Sequence, residues 1–205
     1  MKKLMFGAAA LALVTACGQG DKPTEVNIEE PKLKELSVRA GDPAEAAQAL
    51  AAMSLSESGG LLSFAGTTTD GATATFTDLT ITGEDAVKVG SLVFEGLDMD
   101  NGQANFGKMS LNNISISEEG EDVEVNLGSI ELVNPSPELA AWLAAGLNGQ
   151  EAPFPAAENI VFDSWSINGL TGNFADDEAD GTFGIDKIEI RDMVDLKAAK
   201  AAISG

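Results

Sequence analysis

The sequence predicts an α+β fold that is mainly β: a bent antiparallel β-meander of about six or seven strands with bulges, packed with about three short helices. Two observations carry this. From residue 61 onward Val, Ile, Phe, Leu and Thr alternate with polar residues between short turn signals, and Asn101-Gly102 is the strongest hairpin marker among them. An irregular pattern, apolar-x-apolar-x-[Gly/Asn/Asp], also recurs along those segments.

The chain opens with "MKK" and the apolar run "LMFGAAALALV". That run is shorter than the roughly 20 residues a membrane-spanning helix needs. "VTAC" follows, with Cys17 as the single cysteine of the chain. These residues resemble the signal and lipobox of bacterial lipoproteins. The resemblance implies a signal peptide over 1–16, cleavage before Cys17, and acylation of the Cys17 thiol and amino group. Several acyl chains would hold the protein to a membrane, each buried CH₂ being worth about 0.8 kcal/mol. In lipoproteins a residue other than Asp after the lipidated Cys favours the outer membrane, and here it is Gly18.

Residues 17–41 are polar and carry no sustained apolar period, which predicts a lipidated N-terminus and flexible tether. One α+β domain is expected over 42–205. "DPAEAAQALAAM" (42–53) reads as a helix, with Asp42 capping, Pro43 in the first turn and Ala46, Ala47, Leu50 and Met53 on one stripe. Strands are expected at 61–67, 72–82, 87–98, 104–117 and 122–133. "NPSPELAAWLAAGLNG" (134–149) reads as a second helix, capped by Ser136 and begun by Pro137. Strands return at 159–168 and 182–192. "MVDLKAAKAAI" (193–203) reads as a closing helix that would bury Val194, Leu196, Ala199 and Ile203.

The recurring pattern is carried by "ATFTDLTI", "LVFEGLDM", "MSLNNISI", "IELVNPSP", "WSINGLTG" and "IEIRDMVD". Its pivots are Asp78, Gly96, Asn113, Asn134, Gly169 and Asp192. These residue types tolerate left-handed backbone. Several units also begin with a small residue, as in "VGS", "FGK", "LGS" and "FDS". A bulge at each pivot would return the following apolar residues to the same face and bend the sheet. The rival arrangement keeps regular strands and buries a different face in each half. Over about 72–193 the pattern is similar to the bulged strands of AsmA-like periplasmic proteins. That resemblance implies a lipid-holding groove of repeated strands. This chain is much shorter than the bridging members and carries the lipobox where they have a transmembrane helix.

Chemistry narrows the function classes. The chain has no His and no Tyr. Ser-His-Asp, Cys-His and zinc constellations are therefore excluded, and no Gly-rich phosphate loop follows a strand. No enzymatic activity and no obligatory cofactor are expected. The formal charge is −21, and it becomes 10 − 33 = −23 when Lys2 and Lys3 leave with the signal. Such a charge repels nucleic acid. "DDEADG" places Asp176, Glu178 and Asp180 like the start of a Ca²⁺ loop, but the twelfth position is Lys187 rather than Glu.

The apolar strand positions Leu92, Phe94, Met109, Leu111, Ile130, Leu132, Trp165 and Ile167 are expected to form either a closed core or a groove. Three functions follow. The first is a non-catalytic binding or accessory module at the periplasmic face of the outer membrane, with an envelope protein as partner. The second is a carrier of lipid or another apolar ligand. The third is a Ca²⁺-dependent surface or adhesion module.

Overall fold

An extended segment and a short helix open the described chain, and in the strands that follow alternation with short turns pairs most of them in sequence order. The computed structural model describes residues 33–55, 62–81, 86–117, 123–175 and 180–205. Its fold is mainly β. The main sheet has nine strands: β1 (Leu62–Ser63), β2 (Gly66–Asp70), β3 (Thr73–Ile81), β4 (Ala86–Glu95), β7 (Lys108–Ser117), β8 (Val123–Val133), β9 (Phe162–Ala175), β10 (Asp180–Val194) and β11 (Lys197–Ser204). From β3 to β11 the order is an antiparallel meander, and β1 and β2 both pair with β3. A separate hairpin, β5 (Asp98–Asp100) and β6 (Gln103–Asn105), sits between β4 and β7 in the chain. Its turn is Asn101-Gly102, both at positive φ.

Two α-helices lie among the described residues, α1 (Ala46–Ala52) and α2 (Pro137–Leu147). Asp42 Oδ1 accepts from the Ala44 N–H at 2.8 Å and opens the turn before α1. Ser136 Oγ accepts from the Leu139 N–H at 3.3 Å, with Pro137 and Glu138 in the first turn of α2, as the sequence predicts. Asn148 ends α2 and donates to the Met53 carbonyl at 2.7 Å, tying the two helix ends together.

The third expected helix is absent. Residues 193–203 instead finish β10 and form β11, with Val194 paired to Lys197. Asp195 and Leu196 both take positive φ, the geometry of a two-residue hairpin turn. The Ala- and Lys-rich composition favours helix locally, but pairing along β10 overrides propensity. Val194, Leu196 and Ile203 are exposed as a result, and Lys197 and Lys200 blunt the sheet edge. The strand count also exceeds the expected six or seven, chiefly through the short β1, β2, β5 and β6 and the added β11.

All six pivots have positive φ, from +50° to +68°. They are not bulges of one strand against its neighbour. Partner registers continue unchanged across each: Thr77↔Ser91 and Leu79↔Val89 flank Asp78, and Asn112↔Ser129 and Ile114↔Leu127 flank Asn113. Every strand breaks alternation at the same level, so no strand gains a residue. The pivots fall on two lines across the sheet. The first contains Asp78, Gly90, Asn113, Gly128, Gly169 and Asp186 on successive strands β3 to β10. The second contains Gly96, Gly107, Asn134, Asp163 and Asp192, from the end of β4 to β10. Left-handed residues alternate along each line with partners that are not left-handed. Gly90, Gly107, Gly128 and Asp163, the small residues that begin the repeats, are those partners.

Alternation flips at each line, so apolar residues on both sides of it join one core. The arrangement in which each half buries a different face is not adopted.

Residues 33–41, placed by the sequence in the tether, lie hydrogen-bonded along the second line. The Lys34 N–H donates to Asp192 Oδ2 at 3.2 Å, and the Arg39 N–H to Asn134 Oδ1 at 2.9 Å. Asn134 Nδ2 donates to the Ser37 carbonyl at 2.7 Å, and Arg191 Nη2 to the Lys34 carbonyl at 2.7 Å. Lys34 Nζ lies 3.0 Å from Asp163 Oδ1. The Arg39 carbonyl packs over Gly96 and Gly107, where a Cβ would come within 2.0 Å and 2.2 Å of its oxygen. Only glycine fits there.

Candidate apolar binding face

The five-residue stretches between the two lines stack into a belt. One ladder across its apolar side is Phe76, Leu92, Leu111, Ile130, Ile167 and Ile188, ending on Ile203. The adjacent one is Ala74, Phe94, Met109, Leu132, Trp165 and Ile190. All eight strand residues singled out in the sequence therefore share one face and lie in two neighbouring rows. Leu92, Phe94, Met109 and Leu132 are buried, and Leu111, Ile130, Trp165 and Ile167 are half-buried.

Burial falls across the sheet. Phe76 and Leu92 are 0% exposed, whereas Ile203 at the far end of the same ladder is 60% exposed. An edge-to-face run of aromatics fills the closed side: Phe64–Phe76 at 4.8 Å, Phe76–Phe94 at 6.4 Å and Phe94–Phe106 at 5.1 Å between ring centres. Leu50, Met53 and Leu55 join that core from α1 and its exit, and Leu139, Ala140 and Ala144 from α2. Toward β9 and β10 the face thins to half-buried Leu170, Ile185 and Ile188 and exposed Phe183. The Phe183 ring lies over Gly172 on the neighbouring strand. Phe76, Leu97, Phe106, Phe162 and Met193 complete the buried face and were not among the eight residues singled out. Leu97 and Met193 directly follow the pivots Gly96 and Asp192, and Phe106 and Phe162 directly precede Gly107 and Asp163, which was the signal for these four.

Two surface cavities lie elsewhere. One of about 250 Å³ is lined by Met53, Gln103, Ala141 and Ala144, and one of about 380 Å³ by Trp142, Pro153, Phe154 and Asn159. Neither is lined by any of the eight belt residues.

Burial pushes the Asp98 carboxyl above its ordinary range, against the opposing pull of Arg39, with Asp100, Glu45 and Asp42 adding to the rise. The Arg39 Nε lies 3.7 Å from Asp98 Oδ2. On β10 the hydrogen bond from Lys187 holds Glu189 below its usual range. Among the described residues no group of His, Cys, Asp or Glu is placed to hold a metal ion. Asp176 and Glu178 of the Ca²⁺ motif lie outside the described residues, as do Cys17 and the side chain of Asp180. No helix among the described residues is long and apolar enough to cross a membrane.

No protein-family model, curated protein or solved structure matches this chain.

Proposed function

We propose that this chain is a non-catalytic binding module of a bacterial cell envelope, anchored through lipid on Cys17 to the outer membrane and facing the periplasm. Its partner is an envelope protein that covers the open end of the apolar face. The supporting observation is the fall in burial along one ladder, from Leu92 at 0% to Ile203 at 60% exposure. A closed monomer has no use for apolar side chains continued in register to a solvent-facing edge, and contiguous exposed apolar surface marks interaction sites.

A second reading has the sheet curling at its two lines of left-handed residues and carrying a lipid or other apolar ligand. It is favoured by the continuity of Leu111, Ile130, Ile167 and Ile188 across four strands. Native mass spectrometry of the full chain, released from membranes in mild detergent, separates the two. A protein complex that dissociates in Ile167→Asp supports the module, with Thr171→Asp on the outer face as the folding control. A lipid-sized adduct lost in the same variant supports the carrier. A bare monomer in both proteins contradicts both readings.

A further inference from the structure

The second line shows how this fold holds an extended peptide, because residues 33–41 lie on it. The first line has the same construction and nothing among the described residues lies along it. Read from β3 to β9, it runs Asp78, Gly90, Asn113, Gly128, Gly169. Read from β10 to β4, the second runs Asp192, Asp163, Asn134, Gly107, Gly96. The two agree at all but the second place. The first, third and fifth residues of each are left-handed. This match is a local two-fold relation of an antiparallel sheet about the middle of the belt, so the sequence of contacts along the two lines is alike as well as the residue types.

The matching residues perform separable tasks on the occupied line. Asp192 accepts a peptide N–H, Asn134 accepts one N–H and donates to one carbonyl, and Gly96 and Gly107 make room for the Arg39 carbonyl. On the open line Asp78, Asn113 and the Gly128–Gly169 pair stand in those places. Asp78 and Asn113 are exposed, and neither makes a side-chain hydrogen bond among the described residues. The bordering outer-face ladder is Thr77, Ser91, Asn112, Ser129 and Asn168, which supplies further short hydrogen-bonding side chains.

We propose that the first line is a docking groove for an extended, uncharged segment of a partner protein, laid across the strands on the outer face and held as residues 33–41 are held on the second line. Main-chain groups of that segment bond to Asp78 and Asn113, and one of its carbonyls sits over Gly128 and Gly169. The segment is uncharged because Gly90 stands where Asp163 pairs with Lys34, and because Lys88 and Lys187 flank the line near Asp78 and Asp186. The inference rests on the binding-module reading but uses the opposite face of the sheet.

The probe is the dye-labelled, end-capped peptide LSQLSVSAG, which is residues 33–41 with serine in place of Lys34 and Arg39 and glutamine in place of Glu35. Its fluorescence anisotropy is titrated with the full chain in mild detergent. Saturable binding is expected, weakened at least about tenfold by Asp78→Gly with Asn113→Gly and left unchanged by Ile167→Asp. Glycine keeps the left-handed backbone at both sites, so the fold survives while the hydrogen-bonding arms are removed. No binding at millimolar protein would overturn the proposal. So would binding lost in Asn134→Gly but not in the double variant, which would mean exchange with the chain's own segment. Loss in Ile167→Asp alone would place the peptide on the apolar face, keeping the module reading and defeating this one.

Discussion

Asn113 on β7 stands directly across from Gly90 on β4, and a Cβ on Gly90 would lie 3.1 Å from the Asn113 Cβ. The left-handed turn of Asn113, at φ +53°, brings the two backbones together, so a side chain on Gly90 would crowd Asn113. Gly107 and Gly128 also face left-handed neighbours on the two lines, whereas Asp163 and Asp186 carry side chains in the corresponding places.

Gly90→Ala therefore tests a steric requirement against a propensity. Alanine ordinarily suits a strand better than glycine. Here it is expected to destabilise by about 1–3 kcal/mol through overpacking. Asn113→Gly, which keeps the left-handed backbone, should stay within about 1 kcal/mol of wild type. Asn113→Val should cost more, because a β-branched residue resists φ +53°. Urea midpoints at fixed m-value give all three.

Asn134 clamps the N-terminal segment through two side-chain hydrogen bonds, to the Arg39 N–H and the Ser37 carbonyl. Asn134→Gly is expected to cost about 1–3 kcal/mol. The loss should be local first: the Arg39 amide should exchange faster in the variant while β7 and β8 amides keep their protection. Uniform loss across the sheet would show that the segment and the sheet unfold as one unit.

The hairpin between β10 and β11 carries Leu196 at φ +58°. A leucine is strained there and a glycine is not. Leu196→Gly should raise stability by about 1 kcal/mol, seen as a higher midpoint of thermal unfolding. The side chain is exposed, so little packing is lost with it.

Asp98 and Glu189 give opposite slopes of stability with pH. Burial raises the folded-state pKa of Asp98, so its folded state binds the proton more tightly than the unfolded chain does. Stability falls as pH rises from the ordinary aspartate range through that raised value, and the cost persists at neutral pH. Asp98→Asn should remove this fall and be at least as stable as wild type at pH 7. Glu189 is held low by Lys187, so its contribution is present above the ordinary glutamate range and is lost as pH drops through the lowered value. Urea unfolding from pH 3 to pH 7 in wild type, Asp98→Asn and Glu189→Gln separates the two.

The repeat was legible because its chemistry is backbone chemistry. Only Gly, Asn and Asp sit comfortably at left-handed angles, so Asp78, Asn113, Asn134 and Asp192 announce their conformation by type. The eight belt residues were legible because a period of two survives between pivots. What escaped was decided by pairing rather than by side chains. Residues 33–41 are held mainly through their own N–H and carbonyl groups, which leave no pattern in sequence. Residues 197–204 have the composition of a helix and become a strand because β10 offers an unfilled edge. The half-open character of the apolar face depends on where α1 and α2 stop covering it, which no single segment encodes.

Alternation reverses at a shared line while strand partners stay in register. Disulfide trapping in the full chain measures this directly, since Cys17 is the single native cysteine. Facing positions of an antiparallel pair lie within disulfide reach. The pairs Ser91→Cys with Asn112→Cys and Lys88→Cys with Ser115→Cys straddle the line on β4 and β7. Both should oxidise readily in one register, and Lys88→Cys with Ile114→Cys should not. If the first pair closes but Lys88→Cys closes with Ile114→Cys in preference to Ser115→Cys, one strand carries an extra residue, and the shared-line account is wrong.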